Sequence, residues 1–331
     1  YILYNIIYMI SKEKILEDFN NRYKQLINFY RFNYNKIIRL NIYRNIKIRY
    51  LTNLKNYVKK IYETLLREKE MKLAEYYRIL AKKNKKAVIV GINYKNTSHS
   101  LNGCINDANS INNLLNKKHN IQDDEICMLT DDTLNKPTRN NILNEYKNLL
   151  VNSKSGDVLY FTFSGHGTNT IDYNKDEIDG LDELLYCIDD QCIKDDELKK
   201  ITDQYLKKDV TVFILIDSCH SGTMMDFKYN YLSTNNYDDV IINRKCKETE
   251  GNIYLLSGCK DSQTSSDASI NGKFQGAITW AFLTVITNPY NVNLSWKELI
   301  VKIRELLKPY FLQIPQLSSG KLIDINSKIF M

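Results

Sequence analysis

From residue 87 onward the chain alternates short apolar, β-branched runs with amphipathic stretches. Residues 87–92, 125–129, 157–163, 210–216 and 252–256 read as strands. Their nearly unbroken apolar character marks strands buried on both faces. Between and after them, residues 107–115, 138–151, 195–206, 275–287 and 295–307 read as helices. Thr138 follows Pro137 as a helix cap, and acids open the helix at Asp195. This rhythm predicts an α/β fold, a mostly parallel sheet with helices on both faces. In such sheets chemistry collects at the C-terminal ends of the strands.

Upstream the texture differs. Residues 11–83 hold no Gly or Pro, and Leu54, Val58, Ile61 and Leu65 recur at helical spacing. The pattern predicts an N-terminal helical extension, ending at the polar hinge Lys82-Lys83-Asn84-Lys85-Lys86. The expected division is therefore a helical region, 1–86, and a second domain, 87–331. The apolar stretch from Tyr1 to Ile10 stops at Ser11-Lys12-Glu13-Lys14. It is shorter than the roughly 20 residues a bilayer span needs, and it reads as the start of a packed helix.

Composition sharpens this division. With 331 residues, 43% hydrophobic and 26% charged, the chain is long and apolar enough for a real core, which excludes disordered and collagen-like classes. Its net charge of +7 conceals a split. Residues 1–86 carry 21 Lys or Arg against 7 Asp or Glu, and also 12 of the 24 Tyr. The acids dominate in residues 87–331. The seven Cys form no Cys-x-x-Cys pair, and Cys187 and Cys192 lack a nearby His for a zinc site. They read as reduced thiols of an intracellular, cytoplasmic protein.

Two strand ends stand out. Ser164-Gly165-His166-Gly167 follows the third strand, and Asp217-Ser218-Cys219-His220-Ser221-Gly222 follows the fourth. A His and a Cys at one edge of a sheet can form a dyad in which imidazole takes the thiol proton and leaves a nucleophilic thiolate. The N–H groups of Gly167 and Cys219 are candidates for an oxyanion hole. A phosphatase loop needs Cys-x5-Arg, and Met225 occupies the Arg position. The stretch between His166 and Cys219 is acidic. Asp172-x-Asn174-x-Asp176 with Glu183 approaches a calcium loop, but Glu177 stands where an EF-hand turn requires Gly.

These blocks resemble the type I metacaspases, caspase-like cysteine peptidases. The matching segments are residues 101–108, Phe163-Ser164-Gly165-His166-Gly167, Asp182-Glu183, Asp195-Asp196-Glu197-Leu198, residues 217–222 and 257–265, and Pro315-Gln316-Leu317-Ser318. They fall in family order over roughly residues 87–325. The resemblance implies a caspase-like fold with His166 as general base and Cys219 as nucleophile. It also implies cleavage after Arg or Lys, with Asp107, Ser164 and Asp217 as the pocket for that side chain. Charge-assisted hydrogen bonds from paired acids would select such a cation. It further implies a calcium requirement, with Asp182, Asp195, Asp196 and Asp226 as ligands.

The long polar stretch 228–251, carrying Lys228, Arg244, Lys245 and Lys247, is expected to be a surface loop open to self-cleavage. The expected partners are protein or peptide substrates of a monomeric enzyme. For region 1–86, docking on the acidic domain is favoured over nucleic acid or anionic membrane. The competing class is a catalytically silent scaffold acting through its basic arm.

Overall fold

The computed structural model describes residues 12–80, 84–171, 181–219, 224–231, 240–258, 267–270, 272–311 and 313–330. Tyr1 to Ile10, the near-miss calcium loop from Asp172, residues 220–222 of the Cys219 motif and most of the 257–265 block lie outside them. Two compact units are present, 1–83 and 84–331.

In the first unit the expected helical region forms two helices, α1 (Lys12–Arg39) and α2 (Arg44–Leu80). Neither Gly nor Pro marks the break. Instead the chain doubles back, so that Arg22 pairs with Glu68 at 2.7 Å, Lys72 with Asp18 at 3.3 Å, and the Phe29 ring lies 6.0 Å from that of Tyr57. Lys47 Nζ donates to the Ile38 carbonyl at 2.8 Å, satisfying an orphan acceptor at the end of α1. Tertiary pairing around Leu26 and Leu65 has overridden uninterrupted helix propensity.

The second unit is built on an eight-stranded sheet. Its strands are β1 (Lys85–Gly91), β2 (Ile126–Thr130), β3 (Val158–Ser164), β7 (Thr211–Asp217), β8 (Tyr229–Tyr231), β9 (Ile241–Ile242), β10 (Asn252–Ser257) and β13 (Gln316–Ser319). Their spatial order is β2-β1-β3-β7-β10-β13-β8-β9. The first five are parallel, and β13, β8 and β9 extend the sheet antiparallel. The helices are α3 (Cys104–His119), α4 (Arg139–Val151), α5 (Asp195–Tyr205), α6 (Ala277–Thr287) and α7 (Trp296–Leu307). Strand side chains alternate between two cores. Ala87, Ile89, Tyr160, Phe213 and Leu215 face α3, α6 and α7. Val88, Val90, Phe161, Phe163, Val212 and Ile214 face α4 and α5. That two-sided burial is why the strands are apolar at consecutive positions.

Several elements depart from expectation. A separate three-stranded sheet is formed by β4 (Gly167–Ile171), β5 (Leu181–Tyr186) and β6 (Cys192–Lys194), and a two-stranded one by β11 (Asp267–Ile270) and β12 (Lys273–Gly276); β5 buries Asp182 and Glu183. The polar stretch 228–251 is not a plain loop, since β8 and β9 within it close the edge of the main sheet. Thr138 caps α4 as its sequence predicts, accepting from the Asn141 N–H at 3.3 Å. The six described cysteines form no disulfide.

His119, the last residue of α3, is buried with its ring 5.6 Å from that of Tyr160. Burial, aided by the Lys85 and Lys118 ammonium groups, pushes its pKa down to about 4. In the unfolded chain the same imidazole titrates near 6.5. The neutral ring therefore contributes stability that is present above about pH 6.5 and is lost as pH falls toward 4, on the order of 2–3 kcal/mol. Denaturant unfolding at pH 7 and pH 4.5 should show this loss in the parent chain and a smaller one in His119→Gln. Equal losses would contradict it.

Candidate active site

The sheet register brings the two conspicuous strand ends together. Ser164, the last residue of β3, pairs with Asp217, the last of β7. His166 and Cys219 each lie two residues beyond, so equal lengths of chain overhang the same edge. The Gly165 N–H donates to the Asp217 carbonyl at 3.2 Å. A Cβ placed on Gly167 would lie 2.2 Å from the Cys219 carbonyl oxygen and 2.9 Å from Ser218 Oγ. The two loops therefore touch backbone to backbone, and only glycine permits it. His166 and Cys219 are both half-buried.

His166 is held from two sides. Its Nε2 lies 2.7 Å from the His99 carbonyl oxygen. A carbonyl only accepts, so Nε2 carries the proton, and in the neutral ring Nδ1 keeps the lone pair. The His166 backbone N–H donates to Tyr94 Oη at 2.9 Å, and the Tyr94 hydroxyl donates to the Tyr186 carbonyl at 2.7 Å. The Tyr94 ring lies 4.8 Å from the imidazole. Tyr94 takes a left-handed φ of 50° that places its buried hydroxyl under the His166 turn. Burial raises that phenol far above its ordinary pKa, which keeps it a neutral donor. Tyr94 and His99 were not legible as site residues. The available signal was position, since both follow the C-terminal end of β1.

Asp107, Ser164 and Asp217 also converge. Asp107, in the first turn of α3, is 1% exposed, and Asp217 is 3% exposed. The Ser164 hydroxyl donates to Asp107 Oδ2 at 2.7 Å, and the Gly276 N–H donates to the same carboxylate at 2.9 Å. Asp217 Oδ2 accepts from the Thr279 N–H, 2.9 Å away in the first turn of α6, where the helix dipole also favours an anion. A Cβ on Gly276 would lie 2.1 Å from Asp217 Oδ2 and 2.8 Å from Asp107 Oδ2. Two carboxylates thus bracket one glycine that sequence reading had not singled out.

The four proposed metal ligands come from three segments. Asp182 lies on β5, Asp195 and Asp196 open α5, and Asp226 sits in the loop after Cys219. Asp182, Asp195 and Asp226 are buried. Lys194 pairs with Asp182, and that hydrogen bond, reinforced by Asp196 and Asp195, raises the lysine pKa. Met225 and Asp226 both adopt positive φ, 68° and 41°, a left-handed conformation at this turn of the loop. Asp196 and Asp226 line one cleft of about 640 Å³ with Lys199, Lys200, Lys245 and Lys247. Carboxylate oxygens are the donors a hard cation prefers. Among the described residues, however, no three acid, His or Cys groups are gathered closely enough to hold a metal. The donor set fits calcium in kind, and Lys194 is the cation paired with Asp182.

The profile of the metacaspase peptidase C14 domain matches residues 85–228. The chain is 33% identical to Metacaspase-1 of Schizosaccharomyces pombe over 293 residues, which cover 73% of this chain and 68% of that protein. To Metacaspase-1 of Kluyveromyces lactis it is 32% identical over 299 residues, covering 75% and 68%. A solved structure from Geobacter sulfurreducens superposes with a TM-score of 0.55 at 23% identity, covering 74% of this chain and 97% of that one, a likeness of fold alone. The sheet is the caspase-like one, mostly parallel and covered by helices on both faces. With these relatives matched across both strand ends, the chain belongs to the metacaspase family of cysteine peptidases.

Proposed function

We propose that this chain is a calcium-dependent endopeptidase that cleaves after Arg or Lys through a Cys219–His166 dyad. The observation that carries the reading is the shared overhang of His166 and Cys219 at one sheet edge, beside the Asp107–Asp217 pair. His166 Nδ1, left with the lone pair by the His99 carbonyl, accepts the Cys219 thiol proton. The thiolate attacks the scissile carbonyl carbon, forming a C–S bond while the carbonyl electrons move onto oxygen. The Gly167 and Cys219 N–H groups are the donors proposed for that oxyanion. As the C–N bond breaks, the imidazolium returns its proton to the leaving amine. Water, deprotonated by the same imidazole, then hydrolyses the thioester and regenerates the thiol.

Selectivity for a cation rests on charge. Asp107 and Asp217 offer buried carboxylates, and Ser164 orients the first of them. A substrate guanidinium or ammonium there meets opposite charge, whereas an Asp side chain would meet like charge. Asp182, Asp195, Asp196 and Asp226 are the residues that would hold calcium, a hard cation that would compete with Lys194 for Asp182. Arg244, Lys245 and Lys247 are exposed, which suits them as self-cleavage sites.

Fluorogenic peptides ending in Arg or Asp test the reading. Cleavage of the Arg peptide alone, only with calcium and not by Cys219→Ala, is expected. Preference for Asp overturns the pocket assignment, full activity in excess chelator overturns the calcium assignment, and persistence in Cys219→Ala overturns the dyad. Tyr94→Phe keeps the ring against His166 but deletes the hydroxyl that fixes its turn. It should lower kcat by about tenfold and leave KM nearly unchanged, because geometry at the reacting atoms is lost while substrate contacts are kept. Unchanged kcat would show the hydroxyl to be idle.

A further inference from the structure

The α1–α2 hairpin is chemically polarised along its length. Three of its ion pairs lie toward the open end, where Asp18 and Glu68 meet Arg22 and Lys72, and Lys59–Glu63 lies midway. Of its buried apolar residues, Ile15 and Leu65 lie in the open half and Leu26 midway. Toward the closed end the pattern inverts. Residues 23–58 contain eight Lys or Arg and no Asp or Glu. The same segment exposes large apolar side chains, with Phe32 69% exposed, Tyr43 80% and Ile48 55%. Ile38, Leu40 and Ile46 are exposed beside them. Tyr43, Tyr50 and Tyr57 recur every seven residues, about two helical turns, so they form one stripe running from the turn along α2.

Charge alone favours docking on the acidic domain, but the exposed apolar side chains favour lipid, and we propose that the closed end of this hairpin is a docking surface for an anionic phospholipid bilayer. Charge complementarity supplies the attraction, since basic residues near an anionic leaflet each add to binding within about a Debye length. The exposed side chains decide between possible anions. Tyr belongs at the headgroup level, and Phe32 with the aliphatic Ile38, Leu40, Ile46 and Ile48 gains by entering the acyl boundary. A nucleic acid strand would use the cations and the aromatic faces but gives those aliphatic side chains no stacking partner. The hairpin lies on the bilayer rather than across it, because among the described residues no helix is long and apolar enough to span one. Such a surface would bring a peptidase to membrane-associated substrates.

The test is co-sedimentation of the full chain with vesicles of phosphatidylcholine alone or of phosphatidylcholine mixed with phosphatidylserine. Two variants change only exposed side chains. One is Arg31→Glu/Arg44→Glu/Arg49→Glu, which reverses charge, and the other is Phe32→Ser/Tyr43→Ser, which removes apolar contact. Helical circular dichroism controls for folding. Sedimentation with the phosphatidylserine vesicles only, weakened more than about tenfold in each variant, is expected. Protein left in the supernatant, equal binding to neutral vesicles, or undiminished binding by Phe32→Ser/Tyr43→Ser overturns the proposal. Retention of a single-stranded RNA by protein that ignores vesicles would assign the surface to nucleic acid instead.

Discussion

The parallel pairing of β3 with β7 is the constraint on which the candidate site depends. Because Ser164 stands opposite Asp217, each chain leaves the sheet at the same height, and two more residues bring His166 and Cys219 to one edge. A slip of one residue would turn every side chain of one strand to the opposite core, exchanging Phe213 and Leu215 with Val212 and Ile214. Those apolar residues contribute roughly 1.5–3 kcal/mol each when fully buried, so the register that packs the two cores is also the register that aligns the site. Packing and chemistry are specified by the same hydrogen-bond ladder.

The second organising feature is buried negative charge. Asp107, Asp182, Asp195 and Asp217 are each no more than 3% exposed. Burying a carboxylate costs several kcal/mol unless donors or cations offset it. The chain supplies such donors locally: Ser164 and Gly276 for Asp107, Thr279 at a helix start for Asp217, and Lys194 for Asp182. An arriving guanidinium or ammonium would meet two closely placed carboxylates at the Asp107–Asp217 pair, which is the physical basis for the proposed selectivity. At Asp182, by contrast, a cation is already in place, so calcium would have to compete with Lys194.

Much of this was legible along the chain. Apolar runs located β1, β2, β3, β7 and β10 within a residue or two, because strands buried on both faces have no polar positions to blur them. The two Gly-flanked strand ends located His166 and Cys219. What escaped had no local signal. Gln316–Ser319 is a strand through its antiparallel pairing with β10 and β8, since its own polar composition does not announce one. Asp182, in an acidic stretch with no apolar pattern, is buried on β5 and paired with Lys194 of the neighbouring strand. Tyr94, His99 and Gly276 reach the site only through tertiary folding. The break between α1 and α2 likewise follows from long-range pairing rather than from a breaker residue.

The central claim is that this register couples the His166 imidazole to the Cys219 thiol. The most direct measurement is the pH dependence of Cys219 alkylation by iodoacetamide, followed by peptide mass spectrometry so that the other cysteines do not contribute. The account predicts a reactive thiolate well below the ordinary thiol pKa of about 8.5, with His166→Ala returning the profile toward that value. An identical profile in both proteins would show the two side chains to be uncoupled and would contradict the account.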